Sequence, residues 1–151
     1  MNWYSVISKD ISQIPAATVF YESELLQAKL ECKISGNVEK AVAAMPGIVE
    51  KRFGQIQEIE AILEYLNIEH RRLRSKHFRK YQETYARVLS SRDCEKYVDG
   101  ESEIVDFDLL INEIALLRNK WLAVSKGLDQ KSYALSNIVR LRTAGMEDAS
   151  L

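Results

Sequence analysis

Apolar residues recur three or four positions apart along most of the chain, which is the spacing of amphipathic helices. In the first quarter this pattern predicts a short helix over residues 2 to about 14, ended by Pro15. A second helix is predicted from an N-cap at Thr18 to Met45, with a kink at Gly36. No stretch alternates with the period of a strand, so the pattern predicts an all-α protein.

The first long apolar row follows Pro46, which is expected to occupy the first position of a new helix. The row begins at Val49 and from Ile56 steps by three and four, over about four heptads in all, through Ile59, Leu63, Leu66, His70, Leu73 and His77. One helix of roughly 40 residues, about 60 Å long, is the simplest interpretation.

A connection rich in serine and acidic residues follows, in which Asp93 to Val98 can add a turn or two of helix. The second long row then runs to Gly145, with Gly127 as its weak point. It consists of Phe107, Leu110, Ile114, Leu117, Trp121, Val124, Leu128, Leu135 and Ile138. This is more apolar surface than one subunit must bury, which predicts a homo-oligomer joined through this helix. The alternative is that the row covers the N-terminal helices within one subunit.

Length and composition favour one helical domain. The chain has 151 residues, only two prolines and six glycines, and 46% apolar residues. We therefore predict an elongated helical bundle with two long heptad-patterned helices. Residues 1–92 would hold the N-terminal helices, and residues 93–151 the acidic connection and a coiled-coil oligomerisation helix.

The charges are separated along the chain. Residues 68–92 contain eight Lys and Arg against two acids, a charge of +6, whereas residues 93–113 contain eight acids against one Lys, a charge of -7. The whole chain carries only -1. The basic block either binds a polyanion or pairs with the acidic segment beside it.

A helical wheel separates the basic block into two faces. The apolar and aromatic side chains share one side, so Phe78, Tyr81 and Tyr85 are expected to pack inward rather than stack on bases, although a tyrosine at the rim could do both. Most of the cations share the other side, which suits loosely spaced contacts with a phosphate backbone. The predicted nucleic-acid-binding residues are Arg71, Arg72, Arg74, Lys76, Arg79, Lys80 and Arg87. The alternative is that ion pairs of Glu83 with Arg79 and Arg87 only solvate a helix surface.

Nothing in the sequence indicates an enzyme, a cofactor or a metal site. No phosphate-binding loop, nucleophile elbow or zinc spacing occurs. His70 and His77 lie about 10.5 Å apart on one helix, too far to bind one ion, and are expected in a mostly apolar seam. Cys32 and Cys94 are compatible with reduced thiols. Without a signal peptide or membrane span, a cytoplasmic protein is expected.

Several short motifs in the C-terminal third carry a family resemblance. They are Tyr97-Val98-Asp99, a long heptad helix, Gly127-Leu128-Asp129, the stretch Lys131 to Ile138, and Ala144-Gly145. Together with the order of helices upstream, they resemble the UvsY-type recombination mediators of T-even bacteriophages. The resemblance implies a helical subunit that assembles into rings through its C-terminal helix and binds single-stranded DNA. By position, the family's DNA-binding cluster corresponds to Arg71, Arg72, Arg74, Lys76, Arg79 and Lys80.

The predicted function is that of a non-enzymatic DNA recombination mediator. The resemblance implies that it helps load a recombinase onto single-stranded DNA covered by single-strand-binding protein, in the host cytoplasm if phage-encoded. The alternative is a phage structural protein, adaptor or inhibitor whose basic face meets an acidic protein surface.

Overall fold

A computed structural model describes residues 1–85 and 88–145 of the chain. Every regular element in these two ranges is helical, which confirms the all-α class. The helices are α1 (Trp3–Ile7), α2 (Ile14–Glu31), α3 (Val38–Thr84), α4 (Ser91–Asp99) and α5 (Ser102–Thr143), with a 3-10 helix at Ile11–Gln13. None of the helices in this part of the chain is long and apolar enough to cross a membrane.

The N-terminal helix is shorter than predicted, and Pro15 begins a helix instead of ending one. The side chain of Asn2 accepts a hydrogen bond from the backbone N–H of Ser5 and caps α1. After the 3-10 helix, α2 starts at Ile14 with Pro15 in its first turn. Proline is favourable there because the first N–H groups of a helix lack an intrahelical acceptor. Thr18 lies inside α2, so the predicted end at Pro15 and N-cap at Thr18 are both wrong.

The break between the second and third helices falls near Gly36 and not at Pro46. Gly36 has a φ of +74°, a left-handed conformation that glycine adopts easily. Asn37 follows it and caps α3 through its side chain. The predicted continuous helix over residues 18–45 is therefore wrong, and so is the predicted helix start at Pro46. Pro46 lies inside α3 on an exposed turn, where water can hydrate the carbonyl that loses its N–H partner.

In the C-terminal half, the observed helices agree better with those predicted from the apolar pattern. The connection contains α4, as the residues from Asp93 to Val98 indicated, and α5 spans 42 residues. Gly145 has a φ of +80°, and its N–H donates to the carbonyl of Arg142. This left-handed glycine accounts for the helix end that the sequence placed there.

The long helices α3 and α5 pack along each other, and α2 packs against α5. Tyr21 of α2 meets Trp121 of α5 edge to face, with ring centroids 6.3 Å apart, and both residues are buried. Ile59 and Leu66 of α3 belong to the same core. α1 lies on α3, and α4 lies on both α3 and α5. One apolar core thus runs between the three longest helices.

The C-terminal end of α2 makes a close contact with α5. A Cβ atom added to Gly127 would lie 2.9 Å from Sγ of Cys32. One turn further along α5, the buried Lys131 donates from Nζ to the carbonyl oxygen of Glu31 at 2.7 Å. This bond satisfies one of the carbonyls left free at the end of α2. Gly127, which the sequence marked as a weak point, is therefore where α5 approaches α2.

Replacing Gly127 with alanine is expected to give a free energy of unfolding at least about 1 kcal/mol lower than the same replacement at Gly54, because Sγ of Cys32 must move away. Gly54 is the matched control: it lies inside α3 with nothing within 4 Å of an added Cβ. Gly54→Ala should raise the free energy of unfolding by about 0.5–1 kcal/mol in urea denaturation. Adding Cys32→Ala should remove the penalty at position 127, whereas a penalty unchanged in that background would contradict the packing explanation.

Candidate nucleic-acid interface

The C-terminal half of α3 presents a row of exposed cations, which we call the basic face. It consists of Arg71, Arg72, Lys76, Arg79 and Lys80. A shallow open groove on this face is lined by Arg72, Ser75, Lys76, Arg79, Lys80 and Glu83. Across the same helix, Leu66 and His77 are buried. α3 therefore offers its cations to solvent because its other side is used for packing.

The acidic segment 93–113 folds back onto α3, but it pairs with only one residue of the basic face. Arg74, predicted as a member of the face, is half-buried and its Nη1 lies 2.7 Å from Oδ1 of Asp99. The residue of the basic face that pairs with the acidic segment is Lys80, whose Nζ lies 3.4 Å from Oε1 of Glu101. The acidic segment therefore pairs with Arg74 and Lys80 but leaves the rest of the basic face uncovered. Both alternatives raised by the charge pattern hold in part.

Both histidines of α3 also meet the acidic segment. Nε2 of His77 lies 2.7 Å from Oε2 of Glu103, and Nε2 of His70 lies 2.9 Å from Oδ1 of Asp108. The expected apolar seam therefore includes carboxylates at these two positions. Among the described residues, no three His, Cys, Asp or Glu side chains are placed to hold one metal ion.

Two cations of the basic face pair with acids of α3 itself. Nη2 of Arg71 lies 3.3 Å from Oε1 of Glu64, and Nη1 of Arg72 lies 2.6 Å from Oε1 of Glu69. Both arginines are largely exposed. Exposed ion pairs of this kind contribute about 0–1 kcal/mol, so a phosphate can replace the carboxylate at little cost.

Lys76 and Arg79 are the cations of the groove with no ion pair to any described residue. Arg79 and Glu83 both line the groove but do not form an ion pair. At Arg79 the structure therefore does not support the alternative in which ion pairs with Glu83 only solvate the helix surface. The other expected pair involves Arg87, a predicted binding residue that lies outside the described residues. Lys76 and Arg79 are therefore the centre of the candidate interface.

Three tyrosines come together where α3 ends and α4 covers it. The ring of Tyr97 from α4 stacks on those of Tyr81 and Tyr85 at 22°, with centroids 5.3 and 6.0 Å away. Tyr81 and Tyr85 lie 5.6 Å apart. The expected inward packing holds in part for Phe78 and Tyr81, which are half-buried, but Tyr85 is 50% exposed. The sequence did not predict the contact of Tyr97 with the two tyrosines of α3, because that contact depends on how α4 folds back.

The predicted oligomer interface lies mostly inside the single chain. Six of its nine residues are buried: Ile114, Leu117, Trp121, Val124, Leu128 and Leu135. The other three, Phe107, Leu110 and Ile138, are partly buried against the same core. This row therefore covers α2 and α3, as the alternative interpretation expected, and self-association stays a prediction. The apolar side chains still exposed on α5 include Leu109 and Leu116.

Comparison of the chain with protein-family models, with curated proteins and with solved structures gives no match.

Proposed function

We propose that the chain is a non-enzymatic, single-stranded DNA-binding protein of the recombination-mediator type. The observation that carries the proposal is the basic face, on which Lys76 and Arg79 have no carboxylate partner among the described residues. Such a row of exposed, loosely spaced cations suits phosphate contacts that position a strand without reading its bases. The resemblance to UvsY-type mediators supports the same activity.

The proposal includes self-association and protein partners. A homo-oligomer would present one basic face per subunit, so that each further contact with the strand becomes intramolecular and avidity rises. The resemblance implies a ring and a place beside a recombinase and single-strand-binding protein, whose loading onto DNA the protein would assist. Exposed Leu109 and Leu116 are the α5 side chains we would test first in the subunit interface.

The proposal predicts a strong dependence of binding on salt. If four phosphates are neutralised per subunit, log affinity for a single strand plotted against log salt should fall with a slope of about -3 per engaged subunit. Fluorescence anisotropy of labelled oligo(dT) at several sodium chloride concentrations measures the slope, and light scattering gives the number of subunits. A slope near zero would contradict phosphate binding.

The second candidate is a protein-interaction module, in which the exposed Leu109 and Leu116 of α5 would contact another protein instead of a second subunit. In that case the basic face would meet an acidic protein surface. Electrophoretic mobility of labelled single-stranded DNA separates the two functions. An oligomer that leaves the DNA unshifted at low salt would favour the interaction module.

A further inference from the structure

We infer that Tyr85 and Tyr97 form a platform on which unpaired nucleobases of a bound single strand stack. The inference rests on the proposed function, because phosphate contacts along the basic face would bring the strand to the platform. It gives Tyr85 the base-stacking role that the helical wheel ranked below inward packing.

The two rings stack on each other, and each keeps about half of its surface exposed. Their planes differ by 22° and their centroids lie 6.0 Å apart, yet Tyr85 and Tyr97 remain 50% and 49% exposed. Nucleobases stack on aromatic rings without sequence preference because every base has a π face. Ordering a free side chain costs conformational entropy on binding, and rings that already stack on each other avoid much of that cost.

Tyr81 supports the platform from the α3 side. Its ring lies 5.6 Å from that of Tyr85 and 5.3 Å from that of Tyr97, and its hydroxyl donates a hydrogen bond to the carboxylate of Glu101. This hydrogen bond is the main cause that raises the pKa of Tyr81 to about 12. Tyr81 is thus tied to the start of α5 while Tyr85 and Tyr97 face solvent.

Lys80 connects the platform to the basic face. It lines the groove with Lys76 and Arg79, and its Nζ lies 5.6 Å from the centroid of the Tyr81 ring. A backbone that follows the groove to Lys80 therefore arrives beside the tyrosines. Cations along the backbone next to aromatic rings for the bases are the two parts of a general single-strand site.

The tyrosines are not the main attachment of α4. Cys94 and Val98 of this helix are fully buried, and Arg74 pairs with Asp99 at its end. Because these contacts hold α4 on α3, the half-exposed ring of Tyr97 is available for another role.

The experiment compares oligo(dT) with an abasic oligomer of the same length, which keeps the phosphates and lacks the bases. The wild-type protein should bind oligo(dT) about tenfold more tightly than the abasic strand, as expected for one stacked base. Tyr97→Ala should lose about tenfold in affinity for oligo(dT) and less than about twofold for the abasic strand. Tyr97→Phe keeps the ring and should retain the wild-type preference.

Tyr133→Ala is the matched control, because Tyr133 is an exposed tyrosine of α5 outside the cluster, and it should change neither affinity. Circular dichroism confirms that each variant is folded. Equal binding of the two strands by the wild type, or an unchanged preference in Tyr97→Ala, overturns the platform and leaves phosphate binding standing. Binding of neither strand at low salt overturns the proposed function and the platform together.

Discussion

Replacing Arg52 with methionine is expected to lower the free energy of unfolding by about 3 kcal/mol, the lower end for broken buried ion pairs, because the carboxylates left behind are 24% and 29% exposed. Arg52 is 1% exposed, and its Nε and Nη2 donate to the two carboxylate oxygens of Glu31 at 2.6 and 2.7 Å. Its Nη1 donates to Glu24 at 2.7 Å. Methionine keeps much of the apolar length but leaves both carboxylates without this cation. A loss of this size is a large part of the stability of a typical domain.

Lys51→Met is the matched control for this prediction. Lys51 is the neighbouring residue, is exposed, and lies 3.5 Å from the same carboxylate of Glu24. Its loss should cost less than about 1 kcal/mol because exposed ion pairs contribute little. Urea denaturation followed by tryptophan fluorescence compares the two, since Arg52 lies 5.9 Å from the centroid of the Trp121 ring. Similar midpoints for both variants would contradict a stabilising role of the buried network.

The same network predicts how stability depends on pH. The hydrogen bond from Arg52 holds the pKa of Glu31 below its usual 4.5, and hydrogen bonds from Gln55 and Arg52 lower the pKa of Glu24. Groups whose folded-state pKa is lowered stabilise the fold above the unfolded value and lose this contribution as pH falls through the folded value. Wild-type stability should therefore fall below about pH 4.5, and Arg52→Met should show a shallower fall in the same range.

The spacing of the apolar rows indicates the positions of the buried cations, although a charged residue at such a position is not counted as apolar. The first long row steps from Val49 to Ile56, and Arg52 occupies the position between them where the spacing of three and four requires a member. Lys131 occupies the equivalent gap between Leu128 and Leu135 in the second row. Both cations are buried. A charged residue at a seam position therefore predicts a hydrogen-bonding partner on a neighbouring helix, although its identity, here Glu24 and Glu31 of α2, follows only from the packing of the helices.

Other parts of the structure differ in how far local sequence determines them. The basic face could be predicted because it requires only that α3 be helical, and the wheel then separates its cations from Leu66 and His77. The pairing of Arg74 with Asp99 could not be predicted from the sequence, because it depends on how the connection between α3 and α5 folds back. Helix ends near proline were ambiguous for a physical reason: proline is tolerated in the first turn of a helix, as at Pro15, and on an exposed interior turn, as at Pro46.

Changing Lys76 and Arg79 together to glutamate is expected to lower the affinity for single-stranded DNA about 100-fold or more at low salt. These two residues are the cations of the groove without a carboxylate partner among the described residues, so they are free to contact phosphates. Reversal of charge removes two contacts and adds repulsion. The slope of log affinity against log salt should become shallower by about 1.4, because each phosphate contact with a single strand contributes about 0.7.

The matched control changes Lys40 and Lys126 to glutamate, which alters the net charge by the same amount at exposed lysines of α3 and α5 outside the groove. This variant should keep its affinity within about threefold if local contacts, and not net charge, hold the DNA. Glu83→Gln should instead increase the affinity, because it removes a negative charge that lines the groove and repels phosphate. Its affinity should rise about twofold at low salt, and this gain should disappear as salt screens the groove. Equal losses in the groove variant and the lysine control would contradict the assignment of the basic face as the binding site.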